Sequence, residues 1–365
     1  MTTLEQIIAE RNIPVLMQKR SGAPIKTLEE FEQRREQIKI MLQEEEYGYI
    51  PPSPDHLDFK IEPQNLNFAA GKAIKNKVLI RATIGEKEFI FPIISVIPRA
   101  EGKHPAFVHI NFRPNVPDDY QPTEELIDEG FATFTLYYND ITTDNNDFRN
   151  GIAPLFCKSR RKNTDPGKIA MWAWAAMRVM DYVVSLKNID TDNVAVVGHS
   201  RLGKTALLAG AFDERFKYVI SNDSGCSGAA ITRNKQGETP ADITNRFPFW
   251  FCPKYLKTAA RFENTKYDQH FLLALSAPRY VLIGSAECDL WADPDSEFLS
   301  AYLASAAYEI YGKRGLIHDG TIPKPKTVLG DGDILYQLRF GTHYFSREDW
   351  LEYVKFIKSK MNSSN

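Results

Sequence analysis

Gly198-His-Ser-Arg-Leu-Gly-Lys-Thr205 decides how this chain is read, because it satisfies two incompatible patterns. As G-x-x-x-x-G-K-[ST] it matches a phosphate-cradling loop in full, with backbone N–H groups and a lysine gripping a nucleotide. As a strand-to-helix turn carrying Ser200 it is a nucleophile elbow whose last glycine stands at Gly203, one place after Leu202. The first reading makes an NTPase and the second a hydrolase.

Outward from this stretch, the hydrophobic pattern predicts a buried strand over Asn193–Val197 and a helix over Arg201–Phe212. Further upstream, residues 27–46 read as a charged amphipathic helix with Thr27 as N-cap. Lys77–Thr83 and Glu88–Ile97 read as an antiparallel hairpin. Ala106–Phe112, Thr123–Glu129 and Phe131–Tyr137 then give strand, helix and strand, and Gly167–Lys187 a long, mostly buried helix. Downstream, Tyr218–Ser221, Arg279–Ser285 and Ile334–Arg339 read as strands and Arg347–Lys358 as a closing helix. An antiparallel start followed by repeated strand–helix units predicts an α/β fold with a mostly parallel, doubly wound sheet in a three-layer sandwich. With no linker or repeat visible, the expectation is one domain over 1–365, with a helical extension at 1–55 and the core at 56–365.

Composition narrows the function classes. A formal net charge of -2 gives no electrostatic footprint for nucleic acid or an anionic membrane. No apolar run is long enough to span a bilayer, and the N-terminus lacks a basic and apolar leader pattern. The expectation is a cytoplasmic protein if the chain is complete, and a secreted or periplasmic one if a leader was removed. Cys157, Cys226, Cys252 and Cys288 show no C-x-x-C spacing, so no metal site is expected.

A phosphate loop follows an early strand of its domain, whereas this stretch follows a hairpin and at least three later strands. The hydrolase reading needs a nucleophile, an acid and a histidine in that order, which is the α/β-hydrolase order. Ser200 is followed by Asp223, by Glu287 and Asp289, and by His343 in Arg-Phe-Gly-Thr-His343, all at the carboxyl ends of predicted strands. The histidine would act as general base, and the acid would fix its tautomer. Asp289, Asp223 and Glu287 all remain open for that acid, and Asp289 and Asp223 could back each other up. Taken alone, Ser200 also fits a helix N-cap, His343 a loop histidine, Lys204 a solvated helix residue and Glu238 a surface loop. His199 and His270 read as structural, and Trp172 and Trp174 as core.

Gly-His-Ser-Arg-Leu-Gly-Lys, Asn-Asp-Ser-Gly-Cys-Ser-Gly-Ala-Ala at 222–230 and Asn-Arg-Phe-Pro-Phe-Trp-Phe at 245–251 together resemble the glucuronoyl esterases. Ala-Glu-Cys-Asp-Leu-Trp-Ala-Asp-Pro at 286–294 and Gly-Thr-His at 341–343 continue the resemblance, which runs over roughly residues 100–360 and is strongest toward bacterial members. It implies a serine carboxylesterase cleaving esters of (4-O-methyl)glucuronate on xylan-derived saccharides, with no metal or organic cofactor. It further implies that Arg201 stabilises the oxyanion, that Lys204 contacts sugar hydroxyls, and that Glu238 and Trp291 line the uronate pocket. The shifted Gly203 is normal for that family. A carbohydrate acetyl esterase with the same triad, a phosphate-loop NTPase and a sugar-binding protein with an inactive triad are the alternatives.

Overall fold

The computed structural model describes residues 4–363. Its centre is a ten-stranded sheet built from β1 (His56–Phe68), β2 (Ala73–Ile84), β3 (Lys87–Pro98), β4 (His104–Asn111), β5 (Ala132–Tyr137), β6 (Ile189–His199), β7 (Tyr218–Asn222), β8 (Tyr280–Ala286), β9 (Thr327–Leu329) and β10 (Ile334–Arg339). The spatial order is β1-β2-β3-β5-β4-β6-β7-β8-β10-β9. Strands from β5 to β10 in that order pair in parallel, while β1, β2, β3 and β9 pair antiparallel at the two ends. This is the mostly parallel, helix-covered sheet of an α/β-hydrolase.

Both faces of the sheet are covered, so its middle strands are apolar throughout rather than alternating. Val196 and Val219 point into a large core with Trp172, Leu208 and Phe298 from the helices Lys168–Val183, Arg201–Phe212 and Pro294–Glu309. Ala195, Val197 and Ile220 point the other way, onto Phe107, Leu126, Trp350 and Tyr353 of a second core. Trp172 and Trp174 are fully buried, and their indole N–H groups donate to Thr142 O and Pro52 O. Among the described residues, no helix is long and apolar enough to cross a membrane.

The helix expected at 27–46 starts at Thr27 with a full capping box to Glu30, but its last turn widens to a π-helix over Gln43–Tyr47. β1 and the helix Pro294–Glu309 are the two longest elements absent from the sequence reading. β1 is an exposed edge strand interrupted at Pro63, where its register with β2 shifts, so it carries neither buried alternation nor an unbroken run. The helix Pro294–Glu309 opens at Asp293, whose carboxylate accepts the Ser296 N–H, with Pro294 in the first turn. That Asp-Pro start is a readable signal.

The chain leaves β4 for β5 on one side and crosses back to β6 on the other. A crevice opens where such a sheet reverses its winding, at the carboxyl ends of the strands. Ser200 follows β6 at this point.

Candidate active site

Ser200 sits between β6 and the helix Arg201–Phe212 with φ 57 and ψ -127. Its backbone N–H donates to Asn222 O at 2.8 Å, which fixes the turn against β7. Positive φ at a non-glycine residue is strained and persists only where the surroundings over-determine it. The hydroxyl makes no capping bond to the helix, so the N-cap reading fails. Gly203 faces the end of β7, where a Cβ would lie 3.0 Å from both Ser221 Oγ and Ser224 Cβ. The late glycine is therefore a packing requirement of this elbow.

Lys204 does not reach for a phosphate. It is buried, and its ammonium donates to Ser224 O and, at 2.5 Å, to Cys226 O. Burial lowers its pKa, while Glu238 opposes that shift. An ammonium has three protons, so two carbonyls leave one for the adjoining cavity. The NTPase reading thus loses its phosphate clamp, and the expectation of a solvated Lys204 is corrected as well.

That cavity, about 320 Å³, is lined by Ser200, Arg201, Lys204, Asp223, Glu238, Trp250, Asp289, Trp291 and His343, among others. Of the nine candidate site residues read from the sequence, Glu287 does not line this cavity and the other eight do. His343 Nδ1 donates to Asp289 Oδ2 at 2.6 Å. Asp289 is buried behind the half-exposed imidazole and also accepts from Ala292 N. Next to it, His199 packs at a tilt of 40° against His343 with ring centroids 4.5 Å apart. His199 is bonded to Asn222 Oδ1, and burial followed by the neighbouring His343 holds its pKa well below the ordinary value. It stays neutral and structural.

Of the three open acids, only Asp289 bonds to His343. Asp223 is buried at φ 43, and its Oδ2 accepts from Arg339 Nη2 at 3.1 Å while Oδ1 has no partner. Burial pushes its carboxyl well above the usual carboxylate range, with Glu297 adding to the push. Glu287 only donates its backbone N–H to Arg339 O. Donor atoms of Asp223, Asp289 and His343 lie within 4.8 Å of one another, the one such metal-capable group among the described residues.

Arg339 is the clamp of this region. It is buried, its Nε–H is shared between both Asp349 carboxylate oxygens at 2.9 and 3.1 Å, and its Nη2 donates to Thr342 O and Tyr344 O on either side of His343. Arg201 is held as firmly. Its Nη1 donates to Asp144 Oδ2 at 2.6 Å, and its guanidinium lies 4.9 Å from the Trp250 ring. Asp144 also takes the Trp250 indole N–H at 2.6 Å, and the buried Nε–H of Arg201 has no partner. Sequence reasoning missed Asp144 and Trp250 as the frame of Arg201. The segment 245–251 carries part of the family resemblance, which implies no role for Trp250.

Glu238 belongs to a loop threaded against the one carrying Trp291. Glu238 N donates to Trp291 O at 3.0 Å. Although it reads as a surface residue in sequence, Glu238 is buried, while Trp291 is 48% exposed at the cavity mouth. Gly237 allows this approach, since it has φ +69 and a Cβ there would lie 2.4 Å from Leu290 O. Gly237→Ala should therefore part the two loops and lower the unfolding temperature by several degrees, an overpacking cost of about 1–3 kcal/mol. Thermal unfolding measures it; an unchanged midpoint would contradict the close approach.

Behind the site, Glu297 accepts from Gly225 N at 2.8 Å and Ser285 Oγ at 2.5 Å. Burial raises its pKa from 4.5 to about 7. The folded state therefore holds this proton more tightly than the unfolded state. The associated stability is complete below pH 4.5 and is lost as pH rises through about 7. The unfolding temperature should decline across that window, and Glu297→Gln should flatten the decline. An identical slope in the variant would remove Glu297 as its source.

A family model described as "Glucuronyl esterase, fungi" matches residues 80–313. "Carbohydrate esterase MZ0003", from an unknown prokaryotic organism, is 34% identical over 90% of this chain and 85% of its own. A 4-O-methyl-glucuronoyl methylesterase from Schizophyllum commune is 28% identical over 80% of this chain and 71% of its own. The solved structure of a glucuronoyl esterase from Solibacter usitatus superposes with a TM-score of 0.87 at 32% identity, covering 95% of this chain and 97% of that one. This likeness extends beyond the residues 100–360 marked by the sequence motifs.

Proposed function

The chain belongs to the glucuronoyl esterase family, and from that premise we propose that Ser200, His343 and Asp289 hydrolyse glucuronate esters by acyl transfer. The enzyme is a carboxylic ester hydrolase. The observation that carries the residue roles is the 2.6 Å bond from His343 to Asp289 in the cavity that Ser200 lines.

With Nδ1–H donated to Asp289, the other ring nitrogen, Nε2, is free to take a proton. Ser200 Oγ attacks the ester carbonyl carbon as Nε2 takes the hydroxyl proton. The carbonyl oxygen becomes an oxyanion, which the first backbone N–H groups of the helix Arg201–Phe212 and the Arg201 guanidinium stabilise. Asp144 and Trp250 hold that guanidinium in place before the charge forms, so little reorganisation is needed. The C–O bond to the leaving alcohol then breaks, and His343 returns the proton to the alkoxide oxygen. A water molecule repeats the sequence on the acyl-enzyme and releases free glucuronate. Asp289 stabilises the imidazolium in both halves.

The sugar supplies the acyl side in this reading. Glu238 accepts from ring hydroxyls, the spare proton of Lys204 donates to one, and Trp291 covers a sugar face. Xylan-derived saccharides carrying (4-O-methyl)glucuronate are the proposed substrates. Glu238→Ala should raise KM by about tenfold or more and leave kcat nearly unchanged, as expected for a binding contact shared by ground and transition states. A drop in kcat at constant KM would instead give Glu238 a part in the chemistry.

The deciding experiment offers a methyl glucuronate ester and an acetylated xylo-oligosaccharide in parallel. Release of free uronate from the first supports the assignment. Acetate release without uronate release would overturn it.

A further inference from the structure

Arg34 lies on the helix Leu28–Leu42, away from Ser200, and is buried to 7% exposure. A guanidinium this enclosed needs a carboxylate or several acceptors, because an unpaired buried charge is costly. Arg34 has neither. Its Nη1 makes one long bond of 3.4 Å to Gln37 Oε1, and its Nε is buried without a partner. The guanidinium lies 5.6 Å from the Phe271 ring. Burial and the cationic Arg20 both lower its pKa, and no carboxylate offsets them. Among the described residues it forms no ion pair.

This arginine borders a groove of about 800 Å³ whose rim includes the exposed Arg20 and Lys266 and the amides of Asn12, Gln18 and Asn264. The other charged side chains there each have a bonded partner, an ion pair for Glu45, Lys19 and Arg233 and a neutral donor for Glu44 and Glu263. Glu45 pairs with Lys254, and Lys19 with Glu30. Glu44 accepts the Tyr49 hydroxyl, and Arg233 is paired with Asp268. Glu263 accepts from the Asn264 amide.

We propose that this groove is a second ligand site, in which Arg34 takes the carboxylate of a sugar acid with Arg20 and Lys266 at its rim. Among the described residues Arg34 Nη2 makes no bond and is the donor offered to a carboxylate oxygen, while the Asn12 amide and the second N–H of the Gln18 and Asn264 amides, each already donating once, match sugar hydroxyls. The choice of sugar acid rests on the proposed function, whose product bears the free carboxylate that its ester substrate lacks. A site reading that charge distinguishes product, or de-esterified saccharide, from substrate.

The test titrates sodium glucuronate into enzyme whose Ser200 has been blocked by a serine-directed phosphonate, with heat of binding as readout. Inorganic phosphate and the uncharged methyl glucuronate ester are titrated in parallel. Saturable glucuronate binding is expected. It should weaken with added salt, and by at least about tenfold in Arg34→Gln, the loss of a charge-assisted hydrogen bond. The surface variant Arg20→Gln should weaken it several-fold and carries the test if Arg34→Gln does not fold. Both variants should keep wild-type turnover of the ester. Equal affinity in the variants and wild type overturns the site. Arg34-dependent phosphate binding without glucuronate binding, or equal binding of the uncharged ester, overturns the sugar-acid assignment. The mass of the phosphonate adduct reports separately on Ser200, so failure of the nucleophile reading remains distinguishable.

Discussion

Ser200→Ala is expected to lower kcat on a methyl glucuronate ester by at least about 10⁴-fold while leaving the fold intact, as measured by single-turnover kinetics beside thermal unfolding. The large effect follows from the role, since without Oγ no acyl-enzyme forms. Intact folding follows from geometry. The hydroxyl makes no bond to the helix that Ser200 precedes, and alanine bears the same positive φ as serine at about the same cost. The anchoring bond from the backbone of residue 200 to Asn222 O also survives. His343→Ala should fall to a similar floor, and the double variant should fall no further, because the two residues act as one unit. Turnover that tolerates Ser200→Ala would end the esterase assignment of this residue.

The second large effect separates two aspartates. Asp289→Asn should cost roughly 10³–10⁴-fold in kcat, because an amide in that place can donate to Nδ1 and so favours the wrong imidazole tautomer. Asp223→Asn should cost no more than about tenfold at permissive temperature, because this group touches no proton in transit. Its loss should register in the unfolding midpoint, since Arg339 would keep Asp349 but exchange a buried carboxylate partner for a neutral amide oxygen. Equal kinetic losses at the two positions would mean that Asp223 shares the work of orienting His343. That outcome has a structural route, because the donor atoms of both aspartates and His343 cluster within 4.8 Å.

The strands of the parallel sheet were legible because burial on both faces leaves continuous apolar runs, as in Val194–Val197 and Val281–Ile283. The turn that carries the proposed nucleophile was legible because an elbow needs a glycine near the serine and a strand before it. His343 and the acids were legible by order. What the sequence left open is set by distance in space. Asp289 and Asp223 both follow strands and precede turns, and only the three-dimensional path gives one the imidazole and the other Arg339. Asp144 is 57 residues from Arg201, in a loop with no periodic signal. Lys204 looks like a solvated helix residue until the Ser224–Cys226 turn closes over it. The domain boundaries proposed from the sequence, 1–55 and 56–365, concern chain organisation that the sheet topology leaves aside.

Arg339 joins three things that are usually considered apart. One end of its fork rests on Asp349, which also closes the capping box that starts the helix Arg347–Asn362. The other end holds the carbonyls flanking His343. The closing helix is therefore part of the apparatus that presents His343, the proposed base, although among the described residues it contributes none that line the cavity. Damage to its first turn, by proteolysis or by a loop graft at 345–349, would silence the enzyme with the elbow and the acid still in place. Anyone re-engineering this scaffold should treat the last strand, the histidine loop and the closing helix as a single transplantable cassette.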